Sequence, residues 1–249
     1  MLDIILAGVG GQGILSIAYV LDYAALSAGL HFKQAEVHGM AQRGGAVQSH
    51  VRLAPGQIWS DLIPAGQVGL VLAVEPLEAL RYAHELSPEG WVVSSTAPFV
   101  NISSYPDLSG VIGQIAALPR QVMVDAASLA QLAGNKRAEN MVMLGAAAFL
   151  YPFPPEAALA HIEALFQAKG EKVVALNQRA FGLGQGASSI YREAVEAGLS
   201  AEQAIALCAH LHPGEVEPGA AARWAGAMLA DPSMPWPTER VPATLAAAP

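Results

Sequence analysis

The stretch Ile4-Ile5-Leu6-Ala7-Gly8-Val9-Gly10-Gly11-Gln12-Gly13-Ile14 decides the fold class. Three large apolar residues in a row suit a short strand buried on both faces. Gly8-x-Gly10-x-x-Gly13 then gives a tight turn. From Ile14 onward, Ile14, Ile17, Ala18, Leu21, Ala24 and Ala25 recur at helical spacing, and Gly29 stops that helix. Strand, glycine turn and helix in this order open an α/β layer fold, and they also match a dinucleotide-binding fingerprint. Glycines let a backbone approach a pyrophosphate, and a helix N-terminus attracts its charge. The same turn also serves close helix–sheet packing without any ligand. Gly8, Gly10, Gly11, Gln12 and Gly13 are therefore the candidate cofactor-binding residues.

Working outward, residues 31–37 read as a second strand. Val47, Ser49, Val51 and Leu53 alternate with Gln48, His50 and Arg52, the period of two of a strand with one polar face. Ala54-Pro55-Gly56 predicts a turn back to an antiparallel partner at Ile58 and Trp59. Leu70 to Val74, Trp91 to Ser94 and Val122 to Val124 are further buried strands. Helices are expected from Pro76 to Leu86, then over 126–133, 137–150 and 155–168. This alternation predicts a three-layer Rossmann-like sandwich with a mainly parallel sheet and an antiparallel hairpin. Lys172 to Phe181 is helical and Gly182 to Gly186 reads as a break. Residues 188–230 suggest two or three more helices, and Asp231 to Pro249 carries five prolines. The expected division is a core over 1–182 and a helical extension with a proline-rich tail over 183–249.

Composition narrows the function. Charged residues make up 14% of the 249 residues, against about 25% in an average domain. That favours burial of surface against a partner, although an alanine-rich composition alone gives the same figure. The net charge is −8 and there is no Lys/Arg cluster, so nucleic-acid binding lacks its electrostatic footprint. No apolar run reaches the ~18 residues of a membrane span. The N-terminus has no basic region ahead of an apolar one, and a cytoplasmic location is expected. The single cysteine, Cys208, cannot hold an iron–sulfur cluster, which takes about four thiolates.

A second motif runs Gln34-Ala35-Glu36-Val37-His38-Gly39-Met40-Ala41-Gln42-Arg43-Gly44-Gly45. Donors, acceptors and charge fall between glycines just after a strand, where α/β proteins place ligands. His38 suits proton transfer near neutral pH. Arg43 suits a carboxylate or phosphate, because its fork is planar and bidentate. Gln42 supplies a hydrogen-bonding amide. His38, Arg43 and Gln42 are the candidate catalytic residues, and His50 on the polar strand face could join His38. In Arg137-Ala138-Glu139-Asn140-Met141-Val142-Met143-Leu144-Gly145, Asn140 is polar at the start of an apolar helix. A buried tie between loop and sheet is the favoured reading there. Direct ligand contact is the alternative, and it keeps Asn140 among the cofactor-binding candidates. His210 and His212 lack a third ligand, so no zinc site is expected.

These motifs, with Leu62-Ile63-Pro64, Glu75-Pro76-Leu77-Glu78-Ala79, Asn140 to Gly145 and Ala175 to Phe181, resemble the beta subunit of indolepyruvate ferredoxin oxidoreductases. The same domain recurs as the gamma subunit or third domain of pyruvate and 2-oxoglutarate ferredoxin oxidoreductases. The resemblance covers about residues 1–182 and is most specific from Glu36 to Gly45. It implies a complex that decarboxylates an arylpyruvate on thiamine diphosphate. Electrons pass through iron–sulfur clusters to ferredoxin, and an acyl-CoA is formed. The chain has neither a Gly-Asp-Gly thiamine motif nor cysteine clusters. The resemblance therefore puts thiamine diphosphate, Mg2+ and iron–sulfur clusters on a large partner subunit. Coenzyme A is then a candidate for the shared interface. Two other readings stay open: a free-standing NAD(P) oxidoreductase using Gly8, Gly10, Gly13 and Glu36, and a non-catalytic interaction subunit.

Overall fold

The computed structural model describes residues 1–38, 44–100 and 104–237. One six-stranded sheet organises the chain: β1 (Leu2–Val9), β2 (His31–His38), β3 (Ala46–Ala54), β4 (Val68–Ala73), β5 (Leu86–Ser95) and β6 (Gln121–Val124), in the order β2-β3-β1-β4-β5-β6. β1, β4, β5 and β6 run parallel. β3 is antiparallel to both β1 and β2. Ile4, Ile5, Leu6 and Ala7 are buried without alternation, the mark of a strand covered on both faces.

The helices are α1 (Ile14–Ser27), α2 (Pro76–Tyr82), α3 (Leu108–Ala116), α4 (Ala126–Ala133), α5 (Glu139–Ala146), α6 (Pro155–Phe166), α7 (Glu171–Glu196), α8 (Ala201–His210) and α9 (Ala220–Ala230). α2 and α3 pack together over β4 and its neighbours, while α1, α5, α6 and α7 form the opposite layer. The expected three-layer sandwich is therefore present, with a mainly parallel sheet and an antiparallel part. Among the described residues, no helix is long and apolar enough to cross a membrane.

Two expectations need correction. Ile58 and Trp59 do not form a strand. Both edges of β3 are already occupied, by β1 and β2, so no free edge remains for them. The segment is instead fastened from beneath. Buried Arg52 forks onto both oxygens of Asp3, at 2.9 and 3.0 Å, and its Nη1 donates to the carbonyls of Ser60 and Leu62. α3, which no expectation from the sequence covers, forms over the glycine-containing stretch Leu108-Ser109-Gly110-Val111-Ile112-Gly113. The Asp107 carboxylate caps it through Gly110 N, and Val111 and Ile115, four apart, bury its one apolar face.

The second correction concerns Gly182 to Gly186, which lie inside the 26-residue α7. The glycines there permit contact and do not interrupt the helix. A Cβ on Gly184 would stand 1.9 Å from Val142 O, and one on Gly145 of α5 would stand 1.9 Å from Phe181 O. The two helices cross backbone to backbone, and glycine is the one residue that allows it. α7 also carries α8 and α9, so the position expected to divide core from extension, Gly182, falls within a single helix.

Candidate functional site

The glycine turn lies at the C-terminal end of β1, next to the parallel strand β4. Gly11 and Gly13 take positive φ, +107° and +77°, which a side chain would resist. Gly8 lies against α1: a Cβ there would meet Ile14 Cδ1 at 2.8 Å. Gly13 is the N-cap of α1 and supplies no side-chain cap. Its carbonyl accepts from Ser16 N and Ile17 N. The amides of Ile14 and Leu15 have no intrahelical acceptor by position, and they carry the positive end of the helix dipole outward. This backbone fits an anionic group such as a diphosphate.

Two candidate side chains hold the turn in shape. Gln12 Oε1 accepts from Val9 N at 2.8 Å, and its Nε2 donates to Val74 O at 3.4 Å, so the amide staples the turn to the end of β4. Asn140 is buried at the start of α5, and its Nδ2 donates to Gly13 O at 3.2 Å. A Cβ on Gly13 would meet that nitrogen at 2.5 Å. Both residues therefore act on the turn itself, the buried tie that the sequence favoured for Asn140.

The second motif meets the first. Gly10 N donates to Gly45 O at 2.8 Å, and Gly44 N donates to Gly10 O at 3.3 Å. His38 ends β2, paired with Val47 of β3, and Val9 at the end of β1 pairs with Ala46. The ends of the 39–43 segment are thus anchored on the rim that carries the glycine turn. Gln42 and Arg43 lie outside the described residues. His50 lies elsewhere on β3. It pairs with Ala35, three residues further along β3 than Val47 and so about 10 Å away. Its Nδ1 accepts from Ile63 N at 3.2 Å, and burial lowers its pKa.

The strand order also bears on Glu36. β3 stands between β1 and β2, so Glu36 is not on a strand adjacent to the glycine turn. It faces Ser49, level with Leu6 in β1 and short of Gly8, and Gln34 Nε2 donates to its Oε1 at 2.8 Å. An acid that grips a ribose beside a diphosphate sits on the strand next to the turn. The dinucleotide geometry is therefore not built here.

Sequence reasoning missed the role of Glu75. This acid sits at the end of β4, is 1% exposed, and caps α2 through Glu78 N at 2.9 Å. It also accepts from Phe99 N at 3.4 Å and from the Tyr105 hydroxyl. An acid directly before Pro76 at a strand end was the available signal. Phe99 and Val100, beyond β5 on the same rim, are exposed apolar residues. Among the described residues, no group of three or more His, Cys, Asp or Glu could hold a metal ion.

The model of the pyruvate ferredoxin/flavodoxin oxidoreductase family matches residues 3–187. The chain belongs to that family. It is 38% identical over 191 residues to the indolepyruvate oxidoreductase subunit IorB of Archaeoglobus fulgidus, covering 74% of this chain and 93% of that one. It is 36% identical to the subunit of the same name from Methanothermobacter thermautotrophicus, over 75% of this chain and 97% of that one. Among solved structures, the keto/oxoacid ferredoxin oxidoreductase gamma subunit of Geobacter sulfurreducens covers 74% of this chain and 96% of its own. Its TM-score is 0.55 at 24% identity. A 2-oxoglutarate:ferredoxin oxidoreductase from Magnetococcus marinus, solved with 2-oxoglutarate, coenzyme A and succinyl-CoA bound, aligns with 99% of this chain and 44% of its own. That alignment has a TM-score of 0.60 at 18% identity. These structures share the fold.

Proposed function

We propose that this chain is the small subunit of an indolepyruvate-type 2-oxoacid:ferredoxin oxidoreductase, and that its glycine-turn rim closes over the active site of a large partner subunit. The observation that carries this reading is the pairing of Gly10 with Gly44 and Gly45. It joins the backbone anion cradle to the segment bearing His38, Gln42 and Arg43. Exposed Phe99 and Val100 on the same rim suit burial against a partner.

The chain's own residues do not fit the redox groups of such an enzyme, with one cysteine and no metal-sized cluster among the described residues. Thiamine diphosphate, Mg2+ and iron–sulfur clusters belong to the large subunit in this reading, and ferredoxin is the acceptor of the complex. Bound there, thiamine diphosphate supplies the carbon nucleophile for decarboxylation. The part left to this chain is electrostatic and positional. The turn amides at Gly13 to Leu15 receive a phosphate of coenzyme A or an anionic group at the interface. Arg43 clamps a carboxylate or phosphate. His38 and Gln42 hydrogen-bond the substrate, coenzyme A or the facing subunit. Closure keeps water from the reacting carbon.

The test is reconstitution. The purified chain, its large subunit and the mixture are each assayed for indolepyruvate-dependent viologen reduction with thiamine diphosphate and coenzyme A. The mixture alone is expected to turn over at full rate. Oxidation of a 2-oxoacid by the isolated small chain would overturn the proposal.

A further inference from the structure

A cavity of about 410 Å3 lies far from the glycine turn, between the ends of β5 and β6 and the helices α4, α7 and α8. Its volume is that of a small-molecule site, about 300–1,000 Å3. β6 is three strands from β1 in the sheet, or about 14 Å. The two places are therefore separate.

The far wall of this cavity is fastened. Gly186 of α7 has no Cβ, and one there would stand 2.0 Å from Pro213 O, so the segment after α8 lies directly on α7. The Cys208 thiol donates to Ala187 O at 3.5 Å. His210 stacks on Trp236 with ring centroids 5.3 Å apart and planes 14° apart, which ties α8 to the chain that follows α9. Burial pushes the Cys208 thiol up to about 12, so it stays protonated and acts as an apolar surface.

The lining has a definite chemistry. Met123, Leu129, Leu132, Ile205, Leu211 and Pro213 form an apolar body. Thr96, Asp125, Ser128 and His212 supply the polar atoms, and among the described residues neither lysine nor arginine lines the space. Asp125 Oδ1 accepts from Ser128 N at 2.9 Å and Oδ2 from Ser128 Oγ at 2.6 Å. Each oxygen keeps a further acceptor site. His212 Nδ1 accepts from Gly214 N at 3.3 Å, and Glu215 Oε1 lies 3.9 Å from the same nitrogen. Burial first and the charge of Asp125 second push the Glu139 carboxyl up, while Lys136 pulls it down.

An apolar pocket with a carboxylate at one end recognises an organic cation and repels carboxylates and phosphates. We propose that this cavity is a second binding site, for a small primary ammonium compound with an aryl or branched-alkyl body. The ammonium group sits on Asp125 and the body lies against Leu129, Ile205 and Leu211. Such a ligand is opposite in charge to a 2-oxoacid or coenzyme A, so the proposal stands apart from the function assigned to the glycine turn.

The test uses the full chain and two matched probes, 2-phenylethylamine and 3-phenylpropionate, by isothermal titration. The amine is expected to saturate a single site and the anion to give no saturable heat. Asp125→Asn keeps a capping side chain for α4 and removes the charge, so affinity for the amine should fall by about tenfold or more. Ala209→Phe, on the exposed side of α8 and at the cavity wall, should abolish binding by filling the space while leaving the fold intact. No saturable binding of the amine, equal binding of the anion, or undiminished binding by either variant would overturn the proposal.

Discussion

Glycine does two different jobs in this molecule. In the turn after β1, Gly11 and Gly13 are needed for positive φ, and Gly11 has nothing within 4 Å of where a Cβ would stand. Between α5 and α7, Gly145 and Gly184 have ordinary helical backbone, and all the available space is filled by the facing chain. The first kind exposes backbone amides to a ligand or partner. The second removes side chains so that two backbones can touch. From sequence alone the two look alike. The turn was legible because a strand and a helix flank it. The α7 glycines read as a break because helix propensity penalises glycine, and only tertiary packing outweighs that penalty.

The contrast is most exposed at Gly184. Gly184→Ala puts a methyl into Val142 O, and we expect a loss of about 3 kcal/mol in urea unfolding. A neutral result would mean that α5 and α7 are not in backbone contact.

Asp22 gives the next largest effect. It is buried in α1, its Oδ1 has no hydrogen-bond partner, and burial followed by the charge of Glu36 raises its pKa to about 7. The unfolded carboxyl titrates near 3.8, so between about pH 4 and 7 the folded state holds a proton that the unfolded state has released. Stability therefore falls as pH rises through that window and levels above it. Asp22→Asn should flatten the curve and add about 2 kcal/mol at pH 8, with little change at pH 4. An unchanged slope of unfolding free energy against pH would count against this.

Asn140→Ala follows, at about 1 kcal/mol, because it removes the side-chain tie to Gly13 O while Ser16 N and Ile17 N still satisfy that carbonyl. Its effect should appear in thermal unfolding of the isolated chain as well as in the complex. The smallest effect is at Gly182, which has nothing within 4 Å of a Cβ. Gly182→Ala should be neutral or stabilise α7 by about 0.5–1 kcal/mol. Gly182 and Gly184, two residues apart on one helix, should thus respond to the same substitution with opposite signs.

What the sequence could show follows from the range of the interactions. Apolar runs and helical spacing are local, so β1, the glycine turn, α1 and the later strands were legible. Strand pairing is not local. Nothing in Val47 to Leu53 says that β3 enters between β1 and β2, yet that insertion is what separates Glu36 from the glycine turn and argues against a dinucleotide site. The two motifs of the site were legible as motifs. Their meeting through Gly10, Gly44 and Gly45 was not, because it depends on the same insertion. Glu75 was legible only as part of a family motif, since its partners Phe99 and Tyr105 lie more than twenty residues away.

In the proposed function, the rim at the glycine turn is a site and more than a contact surface. Arg43→Ala, co-purified with the large subunit, separates the two. Complex mass is read by light scattering and indolepyruvate turnover is read per assembled complex. We expect an intact complex with turnover lowered by about 100-fold, as when a positioning clamp is removed. A complex that falls apart, or one that assembles and turns over normally, would contradict the proposal.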